Sequence, residues 1–312
     1  MPHIATLTMN PTVDVAYDVD RVEPTHKLRA SGERYDPGGG GINVARVFVR
    51  LGGNAECHYL SGGPTGVGLD GLLDLHQLVR RPVRIAGTTR IAFNVHERET
   101  GREYRFVPEG PRVSEEEWHA CLDALAELRC DYLVASGSLP PGVPEDFYAR
   151  AAALARESGF KFVLDSSGPA LAAGLASGGI YLIKPSESEL EHLAGRDLSG
   201  PEEMGAAAMA IVERGEAEMV AVTMGGEGGV LATADGPRYL PAIPVEAKSA
   251  VGAGDSFLAA MLHALATGRD PLDAFRYGMA AGAAAVLTPG TDLCRPADIE
   301  RLYQQELENR SR

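Results

Sequence analysis

Beyond about residue 114 the chain keeps one rhythm, a short apolar run followed by a longer helical one. Tyr132-Leu-Val-Ala135, Phe162-Val-Leu164, Tyr181-Leu-Ile183 and Met219 to Thr223 are short and apolar throughout. Helices are expected between them: Ser114-Glu-Glu-Glu opens one with an N-cap and an acidic first turn, and Phe147 to Ser158 forms another that Gly159 stops. Apolar strands alternating with helices make a parallel sheet with helices on both faces. Such sheets bind ligands beyond the C-terminal ends of their strands, and Asp14, Ser138, Lys184 and Thr223 all fall at expected strand ends.

The first third has a different texture. Ile4 to Met9 reads as a strand stopped by Asn10-Pro11, Val13 to Val22 as a second, and Ala55 to Leu60 as another. Residues 23–36 are polar, with Lys27 and Arg29 close together. Helices are expected over Ile42–Leu51 and near Leu69–Leu78, with a loop over Gly62–Gly66. Arg90 to His96 and Glu103 to Val107 flank a turn at Glu99-Thr100-Gly101 and form a hairpin with an unusually polar second face, so a small sheet outside the main core is expected. Pro271 to Leu287 reads as an Ala/Gly-rich helix and Gln304 to Arg312 as a polar tail.

Five stretches carry chemistry. Val251-Gly252-Ala253-Gly254-Asp255 precedes the apolar run Phe257–Ala266, a buried helix by composition. Gly252, Ala253 and Gly254 then form a turn whose bare amides at a helix N-terminus suit an anion, and Asp255 in the first turn suits a proton acceptor. That pairing fits phosphoryl transfer; taken alone, an acidic first-turn residue after a glycine turn is the plainer reading. Gly38-Gly39-Gly40-Gly41 before Ile42-Asn43 is longer than a simple loop needs and suits a polyhydroxy ligand against backbone, with Asn43 hydrogen-bonding it. It is no dinucleotide fingerprint, and no G-x-x-x-x-G-K-[ST] occurs. Lys184-Pro185-Ser186-Glu187-Ser188-Glu189 could face phosphate and hydrated Mg2+, although a helix cap formed by Ser186 and Glu189 explains the spacing equally well. Thr223, Gly225, Gly226 and Gly228 suit a nucleotide against backbone, or a plain hairpin turn. Lys27, Arg29 and Arg90 could clamp a phosphate, or be solvated surface charge.

The 312 residues suit one large α/β domain or two small ones, and the formal net charge of −14 argues against nucleic acid or an anionic membrane as the main partner. None of Cys57, Cys121, Cys130 and Cys294 forms a C-x-x-C pair, the start lacks a signal-peptide pattern, and no apolar run approaches the roughly 20 residues of a membrane span. A soluble, cytoplasmic protein is expected.

In this order and spacing the motifs resemble the PfkB branch of the ribokinase-like sugar kinases, from Thr6 to about Cys294. Asp36-Pro-Gly-Gly-Gly-Gly-Ile-Asn-Val-Ala-Arg46, Gly137-Ser-Leu-Pro-Pro-Gly142, Asp165-Ser-Ser-Gly168 and Gly290-Thr-Asp-Leu-Cys294 are most similar to the minor-isozyme type of bacterial 6-phosphofructokinase. The resemblance implies one ribokinase-like domain over 1–312: a doubly wound, mostly parallel sheet flanked by helices, with a small β-sheet lid from about 13–36 and 88–108. It implies a homodimer paired through the lid and ATP-dependent phosphorylation of fructose 6-phosphate at the 1-hydroxyl. A 1-phosphofructokinase or tagatose-6-phosphate kinase is the near alternative, and a non-catalytic sugar sensor the remote one.

By the same resemblance Asp255 is the general base and Gly252, Ala253 and Gly254 the anion hole. Asp14, Gly38, Gly39, Gly40 and Asn43 meet the sugar, and Arg90 and Ser138 its phosphate, with Lys27 and Arg29 contributed by the lid. Lys184, Ser186, Glu189, Thr223, Gly225, Gly226 and Gly228 serve MgATP, with Glu189 reaching Mg2+ through water. Ser249, Val251, Ala285, Thr288, Gly290 and Asp292 form a possible K+ site. Ser186 stands where the family has Asn in N-x-x-E, and Ala250 where Thr is common.

Overall fold

Strands that are apolar at every position must be covered on both faces, and these are. The structure, a computed structural model, describes residues 2–247, 249, 251–288 and 292–310. Its strands are β1 (His3–Thr8), β2 (Thr12–Val19), β3 (Ser31–Gly38), β4 (Asn54–Ser61), β5 (Val79–Arg84), β6 (Arg90–Glu97), β7 (Arg102–Phe106), β8 (Tyr132–Ser136), β9 (Lys161–Asp165), β10 (Ile180–Ile183), β11 (Ala217–Thr223), β12 (Gly229–Thr233) and β13 (Gly236–Leu240). Its helices are α1 (Gly40–Arg50), α2 (Gly63–Leu75), α3 (Glu115–Ala126), α4 (Phe147–Ser158), α5 (Gly168–Ala176), α6 (Glu187–Ala194), α7 (Gly200–Glu213), α8 (Ala253–Ala266), α9 (Pro271–Ala285) and α10 (Pro296–Arg310).

Among the described residues a nine-stranded sheet runs β13-β12-β11-β10-β9-β8-β1-β4-β5, parallel except for β12 and β13. Its side chains alternate between two cores. Ile4, Val134, Val163 and Leu182 point to one that includes residues of α1, α8 and α9; Leu7, Leu133, Leu164 and Ile183 point to the other, which includes residues of α3 to α7. The chain begins at β1, winds outward through β4 to β5, then crosses to β8 on the other side of β1. The β1/β8 junction is therefore the switch point where doubly wound sheets leave a crevice.

The second sheet runs β3-β2-β6-β7. Cross-strand register puts Val15 opposite both Tyr35 and Phe93, and Phe93 opposite Phe106, so one face is apolar. The other carries Asp14, Asp36, Asn94 and Arg105. The doubly wound class and the small sheet with one polar face agree with the sequence reading.

Several boundaries differ from expectation. Asp14, expected just past the end of the first strand and within a second over Val13–Val22, lies inside β2. Part of the polar segment 23–36 is β3, an edge strand that tolerates Pro37 because one side of it needs no ladder donor. Of the expected loop at Gly62–Gly66, Gly62 is the extended N-cap and the rest already belongs to α2, which has a proline in its first two positions where the missing N–H costs nothing. The residues beyond it form β5. The polar tail from Gln304 is largely the end of α10.

Candidate active site

The glycine run lies across the switch point, and packing explains each glycine. A Cβ on Gly40 would sit 2.1 Å from Ser136 Oγ at the end of β8, and one on Gly41 2.6 Å from Thr8 Oγ1 at the end of β1. One on Gly38 would sit 2.2 Å from Asp14 Oδ2, and one on Gly39, at φ 113°, 2.6 Å from Thr8 Cγ2. The run lets α1 start directly above both strand ends, and that start delivers Asn43.

Asn43 donates from Nδ2 to Asp255 Oδ2 at 2.9 Å, across 212 positions of sequence. Asp255 is in the first turn of α8, whose N-cap Gly252 adopts φ 72°, a left-handed conformation natural to glycine. The first intrahelical bond there is Ser256 N to Gly252 O, so the earlier amides of the turn have no helical acceptor. A Cβ on Gly254 would lie 3.3 Å from Lys184 Nζ, which puts the ammonium over the same turn. Lys184 is buried and ion-paired with Asp165 Oδ1 at 3.1 Å, while Ser136 Oγ donates to Asp165 Oδ2 at 3.2 Å.

Burial pushes the Asp255 carboxyl up to about 6, aided by Asp165; the Asn43 hydrogen bond, Lys184 and Arg46 work against the rise. Burial disfavours the Lys184 charge, but Asp165, Asp255 and Glu189 outweigh it and hold its pKa above the ordinary value. Asp14 also rises to about 6, through burial and Asp36 and against Arg105, Arg46 and Arg90.

On one side of this centre a cleft of about 530 Å³ is lined by Arg90, Ser138, Pro108, Glu109 and Ser167. Arg90 donates to the carbonyls of Pro108 and Asn10, both at 2.7 Å, and Asn10 Nδ2 reaches Ser138 Oγ at 3.4 Å. On the other side a cleft of about 480 Å³ runs from Thr223, Gly225, Gly226 and Gly228 to Ala253 and Gly254. Phe257, Met279 and Val286 give it an apolar wall. Gly228 has φ 108°, and a Cβ there would meet Leu240 O at 2.2 Å. Thr223 N donates to Pro185 O at 3.0 Å, which joins the two loops expected to serve a nucleotide.

Some expected residues are used otherwise or lie elsewhere. Ser186 and Glu189 form a reciprocal capping box: Ser186 N donates to Glu189 Oε2 at 2.8 Å and Glu189 N to Ser186 Oγ at 3.4 Å. Lys27 and Arg29 are exposed between β2 and β3 and do not line the Arg90–Ser138 cleft. Around the expected cation site Thr288 Oγ1 lies 2.7 Å from the carbonyls of both Ala285 and Asp292, and Ser249 N donates to Val286 O, with Val251 N on Ser249 Oγ at 3.3 Å. Gly290 and Ala250 lie outside the described residues. Arg105, Arg46, Asp36, Asp165 and Asn10 were not expected at the site. Asp36, Arg46 and Asp165 sit within the motifs quoted above; the i, i+3 spacing of Asn43 and Arg46 on the expected helix is the one signal that could have found a contact, and no spacing rule does so for Asp36 or Asp165.

A family model described as pfkB family carbohydrate kinase matches residues 7–298. The chain is 44% identical to the ATP-dependent 6-phosphofructokinase isozyme 2 of Mycobacterium tuberculosis, covering 97% of this chain and 89% of the relative. Phosphofructokinase-2 from Escherichia coli in complex with potassium superposes with a TM-score of 0.94 at 38% identity, over 98% of this chain and all of that one. A structure of the same enzyme with fructose-6-phosphate gives 0.93 at 37% identity, over 98% and 100% of the two chains. With a family match over residues 7–298 and a relative 44% identical over 97% of this sequence, the chain belongs to the PfkB family of carbohydrate kinases.

Proposed function

We propose that this kinase transfers the γ-phosphoryl group of ATP to the 1-hydroxyl of fructose 6-phosphate, giving fructose 1,6-bisphosphate and ADP. The observation that carries the reading is the Asn43–Asp255 pair at an amide-lined turn, with Lys184 over the turn and a cleft on either side. Sugar hydroxyls lie against Asp14, Gly38, Gly39, Gly40 and Asn43, with the sugar phosphate at Arg90 and Ser138. The nucleotide lies along Thr223, Gly225, Gly226 and Gly228, its phosphates toward Gly254 and Lys184. Asp255 takes the proton of the 1-hydroxyl, that oxygen attacks the γ-phosphorus, and the bond to the ADP oxygen breaks. Lys184 and the amides of Gly252, Ala253 and Gly254 hold the charge of the moving group.

Among the described residues no three His, Cys, Asp or Glu cluster as a metal cage. That fits Mg2+, which keeps most of its waters and takes one or two carboxylates plus phosphate oxygens. Glu189, within electrostatic reach of Lys184 and with one oxygen on the cap, fits as a ligand through water. Bound there, Mg2+ neutralises phosphate charge. The carbonyls of Ala285 and Asp292 beside Ser249 and Val251 fit a potassium ion.

The small sheet acts as the lid. Its polar face carries Asp14. Its apolar face leaves Tyr35 50%, Phe93 39% and Phe106 59% exposed, with Tyr17 stacked on Phe93, which suits pairing with the lid of a second copy. ADP release over a panel of phosphosugars tests the reading. Fructose 6-phosphate is expected to give the highest kcat/KM. Preference for fructose 1-phosphate or tagatose 6-phosphate overturns the substrate, and no ADP release with any sugar overturns catalysis.

A further inference from the structure

We propose that Arg46 is a positioning residue for phosphoryl transfer: its guanidinium, held by Asp36 and Pro37 at the end of β3, fixes the amide of Asn43 so that Asn43 donates to Asp255. The inference rests on the reading of Asp255 as the base. Arg46 is 3% exposed in the middle of α1. One terminal nitrogen lies 3.1 Å from Pro37 O and 3.2 Å from Asn43 Oδ1, and the other 3.1 Å from Asp36 Oδ1. An arginine only donates, so the Asn43 atom facing it is the oxygen, and Nδ2 is the atom left for Asp255. A residue that merely filled the core beneath β3 would need Asp36 and Pro37, not the Asn43 oxygen.

Without the fork the amide is free to turn its oxygen toward the carboxylate, which removes the donor and adds repulsion. One guanidinium thereby ties the strand paired with the Asp14 strand to the orientation of the base, so that the two ends of the sugar site are set together. The groups facing Asp255 are Asp165 at the end of β9, Lys184 after β10, and Asn43 and Arg46 on α1. Those facing Arg46 are Asp36, Arg50, Asp14 and Asp292. Arg46 favours the ionised form of both Asp255 and Asp14, so its loss moves both toward protonation.

Arg46→Met removes one of the two arginines paired with Asp36 and the donor to Pro37 O, which endangers folding, so the decisive variant is Arg46→Lys, which keeps the charge and loses the fork. The single-turnover rate of phosphoryl transfer at saturating fructose 6-phosphate and MgATP is compared for wild type, Arg46→Lys, Asn43→Ala and the double variant. Arg46→Lys is expected to slow transfer roughly tenfold in the wild-type background and less than about twofold in the Asn43→Ala background, the signature of action through Asn43. Equal losses in both backgrounds overturn the proposal and leave Asp255 as the base. An Asn43→Ala rate equal to wild type overturns this proposal together with the reading of the Asn43–Asp255 pair. In Arg46→Met, where it folds, the acidic limb of the rate is expected to move to higher pH with recovery above it; a uniform loss at every pH marks a structural role and contradicts the proposal.

Discussion

Asp14 and Asp255 are both carboxylates whose pKa burial raises to about 6, yet their surroundings differ. Asp14 sits in a strand of the small sheet facing three arginines: Arg105, Arg46 and Arg90. Asp255 sits at a helix N-terminus, bonded to Asn43 and facing Lys184 over an amide-lined turn. A carboxylate among guanidinium groups is suited to hold hydroxyls beside an anionic sugar. One beside an ammonium group and a turn of amides without helical acceptors is suited to take a proton as an anionic group arrives. The shared shift marks both as functional candidates, and only the neighbours separate the roles.

Three substitutions press on that contrast. Asp255→Asn keeps the shape and removes the base, so kcat is expected to fall by about 10²–10⁴ with KM for both substrates near wild type; wild-type turnover measured by ADP release would remove the assignment. Arg90→Ala touches the Asp14 side alone. Losing charge-assisted bonds to a phosphate is expected to raise KM for fructose 6-phosphate on the order of ten- to a hundredfold and leave KM for ATP nearly unchanged. Equal shifts in both constants would place Arg90 outside the phosphate cleft. The smallest effect is expected for Phe106→Lys on the apolar face of the small sheet. Light scattering is expected to give a dimer for the unaltered chain and a monomer for the variant, with KM for the sugar rising a few-fold and kcat changing less, since the sheet carries Asp14 and not Asp255. A variant that stays dimeric would place the subunit contact elsewhere.

The sheet and the order of its loops were legible because strands buried on both faces leave unbroken apolar runs. The centre was legible in pieces. Gly252-Ala253-Gly254-Asp255 announces a helix start, and the glycine run announces a close approach, here of backbone to Asp14, Thr8 and Ser136. β3 stayed hidden because an edge strand reading Ser31-Gly-Glu-Arg-Tyr-Asp-Pro-Gly38 has no apolar period. Asp165 and Arg46 were quoted within motifs without a role: the 3.1 Å contact of Asp165 to Lys184 forms only once the sheet brings separate loops to one edge, while the 3.2 Å contact of Arg46 to Asn43 is an i, i+3 pair within α1 whose burial depends on how that helix packs. Lys27 and Arg29 stand between β2 and β3 of the small sheet, where the resemblance puts them, exposed and away from this chain's own Arg90–Ser138 cleft. At Ser186–Glu189 the capping alternative is realised, and one carboxylate oxygen serves the helix.

Because both carboxylates titrate near the same pH, a pH profile of the wild type alone does not say which one carries the proton. The direct measurement is the single-turnover rate of phosphoryl transfer against pH in Asp14→Asn, at saturating fructose 6-phosphate and MgATP. A raised base is protonated below its pKa, so transfer falls as pH drops through about 6. If Asp255 is the base, that acidic limb persists in Asp14→Asn near its wild-type position, with the cost of the substitution appearing mainly in sugar affinity. If the limb disappears while the protein still binds sugar, the proton goes to Asp14, and the assignment of Asp255 as the base is contradicted.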